Sequence, residues 1–350
     1  LNIGQMFLVG FQEDRLEEDS WLVEDICEHD LGGVILFDRN ISGRVQNFDS
    51  PHSLGRLVEQ LRGYGSSPLL IGVDQEGGRV CRLKERDGFP ATVSAAAMAA
   101  GGAAYAGTQA ARLAAMLREH GVNLNFAPVV DLELNPDNPI IARYQRSFGA
   151  DPATVVRLAE TFIREHHLQG IACCLKHFPG HGSAGGDSHA GFVDISDCWE
   201  EKELAPYAAL LGQGYADGVM SAHLVHRGLD PKGLPATLSR EMVAGMLRGQ
   251  LGFSGVVFSD DLQMGAITRG WSYKEAVQLA VLAGVDILVV GNNLEYRPDC
   301  VRQGIRAITE LLDSGRIEEQ QLERSLERIR ILKEKIKGER PWKSVRQATA

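Results

Sequence analysis

The sequence predicts an α/β protein built as a single (β/α)8 TIM-type barrel, and three observations predict it. Short β-branched and apolar runs alternate with longer amphipathic stretches, the pattern of βα units wound around a parallel sheet. Eight such runs can be counted, the number that closes this barrel. The 350 residues suffice to bury roughly 75% of the surface an unfolded chain exposes, and no internal linker divides them.

The expected strands are "QMFLVGF" from Gln5, "GVILFDR" from Gly33, "LLIGVDQ" from Leu69, "VNLNFAPVVD" from Val122, "IACCLKHF" from Ile171, "GVMSAHLV" from Gly218, "GVVFSDD" from Gly255 and "DILVVGN" from Asp286. The segments between them fit crossover helices. "AAYAGTQAARLAAMLREHG" stops on Gly121, "PATVVRLAETFIREHHLQG" has Pro152 just inside its first turn, and "SREMVAGMLRGQLG" follows a Ser239 cap. The last helix places Leu322, Leu326, Ile329, Leu332 and Ile336 on one stripe, with charges elsewhere as a solvated face. The barrel domain is expected over 1–338. Pro341 and the polar "KSVRQATA" read as a frayed tail over 339–350.

Composition narrows the function. At 44% hydrophobic and 23% charged the chain is an ordinary globular protein. A net charge of -10 argues against a nucleic-acid partner, which needs a basic stripe, whereas a neutral, carbohydrate-like ligand is compatible. The six cysteines contain no C-x-x-C pair, so reduced, mostly buried thiols in a cytoplasmic protein are expected rather than a zinc site or a disulfide framework. No apolar run approaches the ~20 residues that span a bilayer. The opening "LNIGQMFLVGFQ" lacks the basic start of a signal peptide.

In such a barrel chemistry sits at the C-terminal ends of the strands, and titratable residues fall there repeatedly: Asp74, Asp131, Lys176, His177, His223, Asp260 and Asp261. Any one of them alone is as compatible with an ion pair or a cap as with catalysis. In "GVDQEGGRVCRL", Asp74 could accept hydrogen bonds from neighbouring sugar hydroxyls while Arg82 folds back to donate others. Gly77 and Gly78 would let the backbone turn closely beneath a ligand. The segment lacks the spacing and lysine of a phosphate loop, and "GGAAYAG" follows no strand, so nucleotide sites are disfavoured.

"CLKHFPGHGSAGGDSHAGF" is the densest concentration of titratable groups. Five of the 10 histidines, His177, His181, His189, His223 and His226, fall in it or just after it. His177, His181, Asp187 and His189 could gather round a zinc ion. Alternatively, Asp187 and His189, two apart, would share a face of an extended segment, the carboxylate fixing the imidazole's tautomer for proton transfer. At "VVFSDDLQMGAI" the adjacent acids would point to opposite sides, one to the mouth and the other to a helix cap or basic partner. A single mouth carboxylate opposite a proton donor is what covalent glycosidic cleavage requires.

Together "VDQEGGRVCRL", "RSFGADP", "KHFPGHG....DSH" and "PATLSREMVAGMLRGQLGFSGVVFSDDLQMGAI" resemble glycoside hydrolase family 3, specifically its short bacterial β-N-acetylglucosaminidases (β-hexosaminidases), from about Gln5 to Asn292. The resemblance implies a retaining hydrolase of terminal β-N-acetylglucosamine, acting on 1,6-anhydromuramoyl peptides in cytoplasmic peptidoglycan recycling. It implies Asp260 as nucleophile, His189 as acid/base with Asp187 as its partner on a mobile loop, and Asp74, Arg82, Arg146, Lys176 and His177 as sugar-binding residues. No metal or organic cofactor, nucleic acid or membrane partner is implied, and the oligomeric state is not legible. The sequence departs locally from the family: "SAGG" at 183–186 replaces an Asp-Thr pair, with the spacing to Asp187 kept. Phosphorolysis by the same residues, a metal-dependent barrel hydrolase and a non-catalytic saccharide binder stand as alternatives.

Overall fold

The computed structural model describes residues 1–65, 67–338 and 340. Its eight-stranded parallel sheet runs β8-β1-β2-β3-β4-β5-β6-β7, with β1 Phe7–Val9, β2 Gly33–Ile35, β3 Leu70–Val73, β4 Leu124–Asn125, β5 Ala172–Phe178, β6 Gly218–Ser221, β7 Val256–Ser259 and β8 Leu288–Val290. A parallel bridge between Phe258 and Ile287 and a bond from the Ser259 amide to the Ile287 carbonyl bring β7 and β8 together, so the sheet is a nearly closed barrel. Every strand residue is buried on both faces, as a parallel sheet sheathed in helices requires.

Local chemistry sets the helices. α1 (Trp21–Glu28) starts on Ser20 and α2 (Pro51–Gly63) on a reciprocal Ser50–Ser53 capping box. Two short-to-long helices follow, α3 (Ala95–Ala100) and α4 (Gly102–Glu119). Asp151 accepts the Thr154 amide at the head of α5 (Pro152–Leu168), whose Pro152 has no amide to leave unpaired. The outer layer continues with α6 (Ala205–Gln213), α7 (Gly265–Thr268), α8 (Tyr273–Ala283), α9 (Cys300–Asp313) and α10 (Glu319–Lys337). The segment Glu241–Gln250 is wound as a π-helix behind the expected Ser239 cap, whose hydroxyl takes the Met242 amide.

The barrel interior is filled by side chains. The Phe126 and Phe258 rings meet edge to face at 5.5 Å, and the space they occupy is left by Gly72 of β3 and Gly218 of β6. A Cβ would come within 2.9 Å of Phe126 at the first and 2.6 Å of Phe258 at the second.

Several strand expectations change in extent. Ile3–Met6 forms a 3-10 turn, so β1 begins at Phe7. The "VNLNFAPVVD" run keeps only Leu124–Asn125 as ladder, because Pro128 has no amide to donate. The "GVMSAHLV" run splits: Leu224–Val225 leaves the barrel and pairs with Val193–Asp194, burying a small apolar cluster of Ala184, Val193, Ile195, Ala222 and Leu224. The tail expected over 339–350 lies outside the described residues except for Arg340, which pairs with Glu334 at the end of α10. Among the described residues no helix is long and apolar enough to cross a membrane.

Candidate active site

The loops after β3, β4 and β5 build one wall of the mouth. Asp74 directly follows β3, and Lys176 and His177 lie near the end of β5, where the register with β6 shifts between Leu175 and Phe178. The Lys176 ammonium is buried between two carboxylates, 2.9 Å from Asp74 and 2.7 Å from Glu76. Arg146 holds Glu76 through both oxygens, Nε at 2.8 Å and Nη2 at 2.7 Å, the fork geometry that suits arginine and not lysine. Arg82 folds back onto Asp74 at 3.1 Å and lays its guanidinium over the Phe37 ring.

His177 is oriented from both sides. Its Nδ1 is 2.7 Å from Asp131, while Arg146 Nη2 lies 3.2 Å from Nε2. A guanidinium only donates, so Nε2 accepts and the proton sits on Nδ1. Asp131, fully enclosed, also accepts the His177 and His181 amides and so fixes the root of the next loop.

The charges in this wall sustain one another. Burial alone would raise the Asp74 carboxyl, but Lys176 and Arg82 outweigh it and hold it well below the usual carboxylate range. Glu76 is likewise lowered, because Arg146 and Lys176 together exceed the desolvation cost. The result is a tightly interlocked set of ionised donors and acceptors at the mouth of the barrel.

Opposite stands Asp260, the first residue after β7. Its Oδ1 accepts only the adjacent Asp261 amide at 2.8 Å, with no lysine or arginine bound to the carboxylate among the described residues. Burial pushes it up, but the imidazoles of His223, His177 and His189 and that amide hold it below its ordinary value. Asp261 accepts the Gln263 and Gly291 amides, and burial, with Asp260 beside it, pushes it up to about 6. The expectation that only one of these acids faces the mouth is corrected: both line the cavity, because the chain has already left the strand where they stand. Asp261 serves as a turn cap as well, through Gln263.

The third wall is the 181–192 loop. Asp187 Oδ1 accepts the His189 backbone amide at 2.9 Å and His189 Nδ1 at 2.7 Å. The two side chains meet through this turn and not across an extended segment, which corrects the spacing argument while bringing the same pair together. Burial would raise the Asp187 carboxyl, but the bonds from His189 lower it on balance.

All eight residues expected at the site line one cavity of about 390 Å³: Asp74, Arg82, Arg146, Lys176, His177, Asp187, His189 and Asp260. His226 lies apart, capping the turn at Gly228 and Leu229. Gly77 and Gly78 turn against protein and not beneath a ligand, since a Cβ at either would strike Val93 or Ser94. The zinc grouping does not form: among the described residues no three of histidine, cysteine, aspartate or glutamate stand as a metal cluster. Sequence reasoning passed over Glu76, whose only signal was its place two residues beyond Asp74, and the cavity residues Arg79 and Tyr144.

The C-terminal mouth of the barrel thus gathers fixed acids, bases and donors, with Asp260 and Asp261 bound to no lysine or arginine among the described residues, and comparison with known proteins gives the class, a glycoside hydrolase. Residues 1–332 match the model of the glycosyl hydrolase family 3 N-terminal domain, and the chain belongs to that family. It is 40% identical over 269 residues to a β-hexosaminidase of Tolumonas auensis, covering 75% of this chain and 76% of that one. A β-hexosaminidase of Xylella fastidiosa is 36% identical over 318 residues, 87% of each chain. A family 3 β-N-acetylglucosaminidase from Paenibacillus superposes with a TM-score of 0.86 at 34% identity, covering 97% of this chain, which spans 62% of that longer one. A β-N-acetylhexosaminidase from Beutenbergia cavernae gives 0.83 at 30% identity, over 95% of this chain and 97% of its own.

Proposed function

We propose that the protein is a retaining exo-β-N-acetylglucosaminidase that releases terminal N-acetylglucosamine through a covalent glycosyl-enzyme on Asp260. The observation that carries this reading is the half-buried Asp260 carboxylate, bound to no lysine or arginine among the described residues, in the same cavity as the Asp187–His189 pair. The names of the related β-hexosaminidases support the same substrate class.

In the first step the Asp260 carboxylate attacks C1. The C1–oxygen bond to the leaving group breaks, and protonated His189 delivers its proton to the departing oxygen. Asp187 engages Nδ1, which leaves Nε2 as the nitrogen that transfers. In the second step Nε2 takes a proton from water, the hydroxide oxygen bonds to C1, and Asp260 leaves as carboxylate. Asp74, Arg82, Arg146, Lys176 and His177 hold the sugar hydroxyls and acetamido group during both. The natural substrate in this proposal is a β-N-acetylglucosaminyl-1,6-anhydromuramoyl peptide from peptidoglycan recycling. All six cysteines are free thiols, the usage of a reducing compartment, and the proposal places the enzyme in the cytoplasm.

Initial rates on 4-nitrophenyl N-acetyl-β-glucosaminide and the matching β-glucoside test the reading: the acetamido sugar should be strongly preferred. Asp260→Ala should lower kcat by at least ~10³-fold. His189→Ala should lose ~10²-fold or more on an alkyl glycoside and far less on the 4-nitrophenyl one, whose leaving group needs no proton. Equal losses on both would remove His189 from the acid role. Sugar 1-phosphate formed in phosphate buffer would shift the reaction to phosphorolysis.

A further inference from the structure

Ser221, at the end of β6, and His223, two residues on, both reach the turn that carries Asp260. The Asp260 amide donates to the Ser221 carbonyl at 3.1 Å, and the Leu262 amide donates to the Val289 carbonyl of β8 at 3.0 Å. Between them the Asp261 carbonyl lies 2.9 Å from His223 Nε2. The outer two bonds run from backbone to backbone, so the neighbouring strands make them whatever the side chains are. The middle one depends on a single imidazole, buried and outside the cavity lining, to which the proposed chemistry gives no role.

A carbonyl only accepts, so Nε2 carries a proton. Burial holds the ring below the ordinary histidine value, against the pull of the Asp260 carboxylate, and a neutral ring protonated on Nε2 must accept at Nδ1. Its partner there is Thr237 Oγ1 at 2.9 Å, on the 3-10 turn Ala236–Leu238. Ser221 Oγ donates to Thr237 Oγ1 in turn, also at 2.9 Å. One chain of donors thus runs from Ser221 through Thr237 and His223 to the Asp261 carbonyl.

This chain governs the direction of the carboxylate. Asp260 Oδ1 accepts the Asp261 amide at 2.8 Å, so the carboxylate turns with the backbone at Asp261, and the bond from His223 to the carbonyl of that same residue holds this backbone in place. With no lysine or arginine on the carboxylate among the described residues, the backbone frame is what aims it. A reacting atom misplaced by about 1 Å can cost ~10²-fold in rate.

We propose that His223 is a positioning residue for the nucleophile: as the Nε2–H tautomer fixed by Thr237, it holds the Asp261 carbonyl and so aims the Asp260 carboxylate at C1. The inference rests on the proposed nucleophilic role of Asp260.

Two amide variants divide the bonds of the ring. In His223→Gln the side-chain nitrogen reaches as far as Nε2 and can still donate to Asp261, whereas in His223→Asn it reaches only as far as Nδ1, keeping Thr237 and losing Asp261. In His223→Asn, kcat/KM, which reports the attack on C1, should fall ~10²-fold. The loss should be equal on 4-nitrophenyl and alkyl N-acetylglucosaminides, because the nucleophile serves both, whereas losing an acid spares the 4-nitrophenyl one. His223→Gln should regain most of the rate, and N-acetylglucosamine should inhibit both variants as it does the parent. An Asn variant as fast as the Gln variant, a Gln variant as slow as the Asn variant, or a loss confined to alkyl glycosides overturns the proposal. Inhibition by N-acetylglucosamine that weakens in step with the rate also overturns it, since that is the mark of a merely structural histidine. Parent rates in Asp260→Ala overturn the nucleophile reading itself, a separate outcome.

Discussion

Glu76 is the residue on which the wall proposed to hold the sugar turns, because it is the shared anion between Lys176 and Arg146. Glu76→Gln removes that anion and leaves two buried cations facing each other across Asp74 and His177. Breaking a buried pair on one side costs about 3 kcal/mol, so the variant's urea midpoint should drop markedly at neutral pH, with KM for the N-acetylglucosaminide rising. The pH dependence has a definite sign. The folded carboxyl is lowered from 4.5, so its stabilisation is present above that value and lost as pH falls through the lower folded one. Parent and variant should therefore converge in strongly acidic urea titrations, and a gap that stays constant there would sink the assignment. The neighbouring Asp74, Lys176 and His177 were legible because each closes a recognisable strand. Glu76 and Asp131 act by holding other side chains, and nothing in their local spacing says which partner the fold will supply.

At the scale of elements, the 181–192 loop is held at its root and docked again near its tip, at Ser188 and His189. Its root is held by Asp131, by Asn138 on the His181 carbonyl and by Glu203, which accepts the Ser183 hydroxyl and the Gly182 amide. Beyond the root Gly185 has open space where a side chain would be. Its tip rests on the start of α7, whose Gly265 and Ala266 amides, each at 3.2 Å, donate to the His189 and Ser188 carbonyls. A Cβ at 265 would come within 2.8 Å of that His189 carbonyl. Gly265→Ala should therefore displace His189, the proposed acid/base, while sparing the wall around Lys176 and Arg146. Its rate should fall about tenfold more on alkyl than on 4-nitrophenyl glycosides, with N-acetylglucosamine inhibiting as before. Equal losses would mean that the seat does not position His189. The sequence put Asp187 and His189 together by the two-residue spacing of an extended segment, and the same pair forms instead through a turn, on the His189 amide and Nδ1. The docking of their backbone on α7 was not legible, because carbonyl-to-amide contacts carry no side-chain signature. The helices were read closely at Ser239, Pro152 and Gly121, where cap chemistry is local. Strand ends at Met6, Pro128 and Ser221 moved, because ladder pairing depends on the neighbouring strand.

The whole molecule depends on closing the circle, and the seam between β7 and β8 is its sparsest join. There Asp286, fully buried, gathers four donors from three places: the Val257 amide of β7 at 2.8 Å, Arg248 of the π-helix, and Ser325 and Arg328 of α10. It thus ties the last strand to the seventh and both to the outer helices, at the end of the barrel opposite the cavity. The fully buried Asp217 does the same before β6, accepting His167 and the Cys173 amide. Ionic groups at this face stabilise the barrel rather than react. Asp286→Ala would leave two arginines and a strand amide without their acceptor, a loss of about 3–5 kcal/mol. The denaturation midpoint should fall accordingly, and amide hydrogen exchange should accelerate first at Val257, Ser259 and Val289, the residues that stitch the seam. At temperatures where the variant remains folded, KM should change little, since no cavity residue contacts Asp286 directly in these bonds. Exchange that rises evenly around the barrel would show that closure is shared among all the strands. Exchange confined to β7 and β8 would show that one buried carboxylate holds the ring shut, leaving the mouth free to specialise in chemistry.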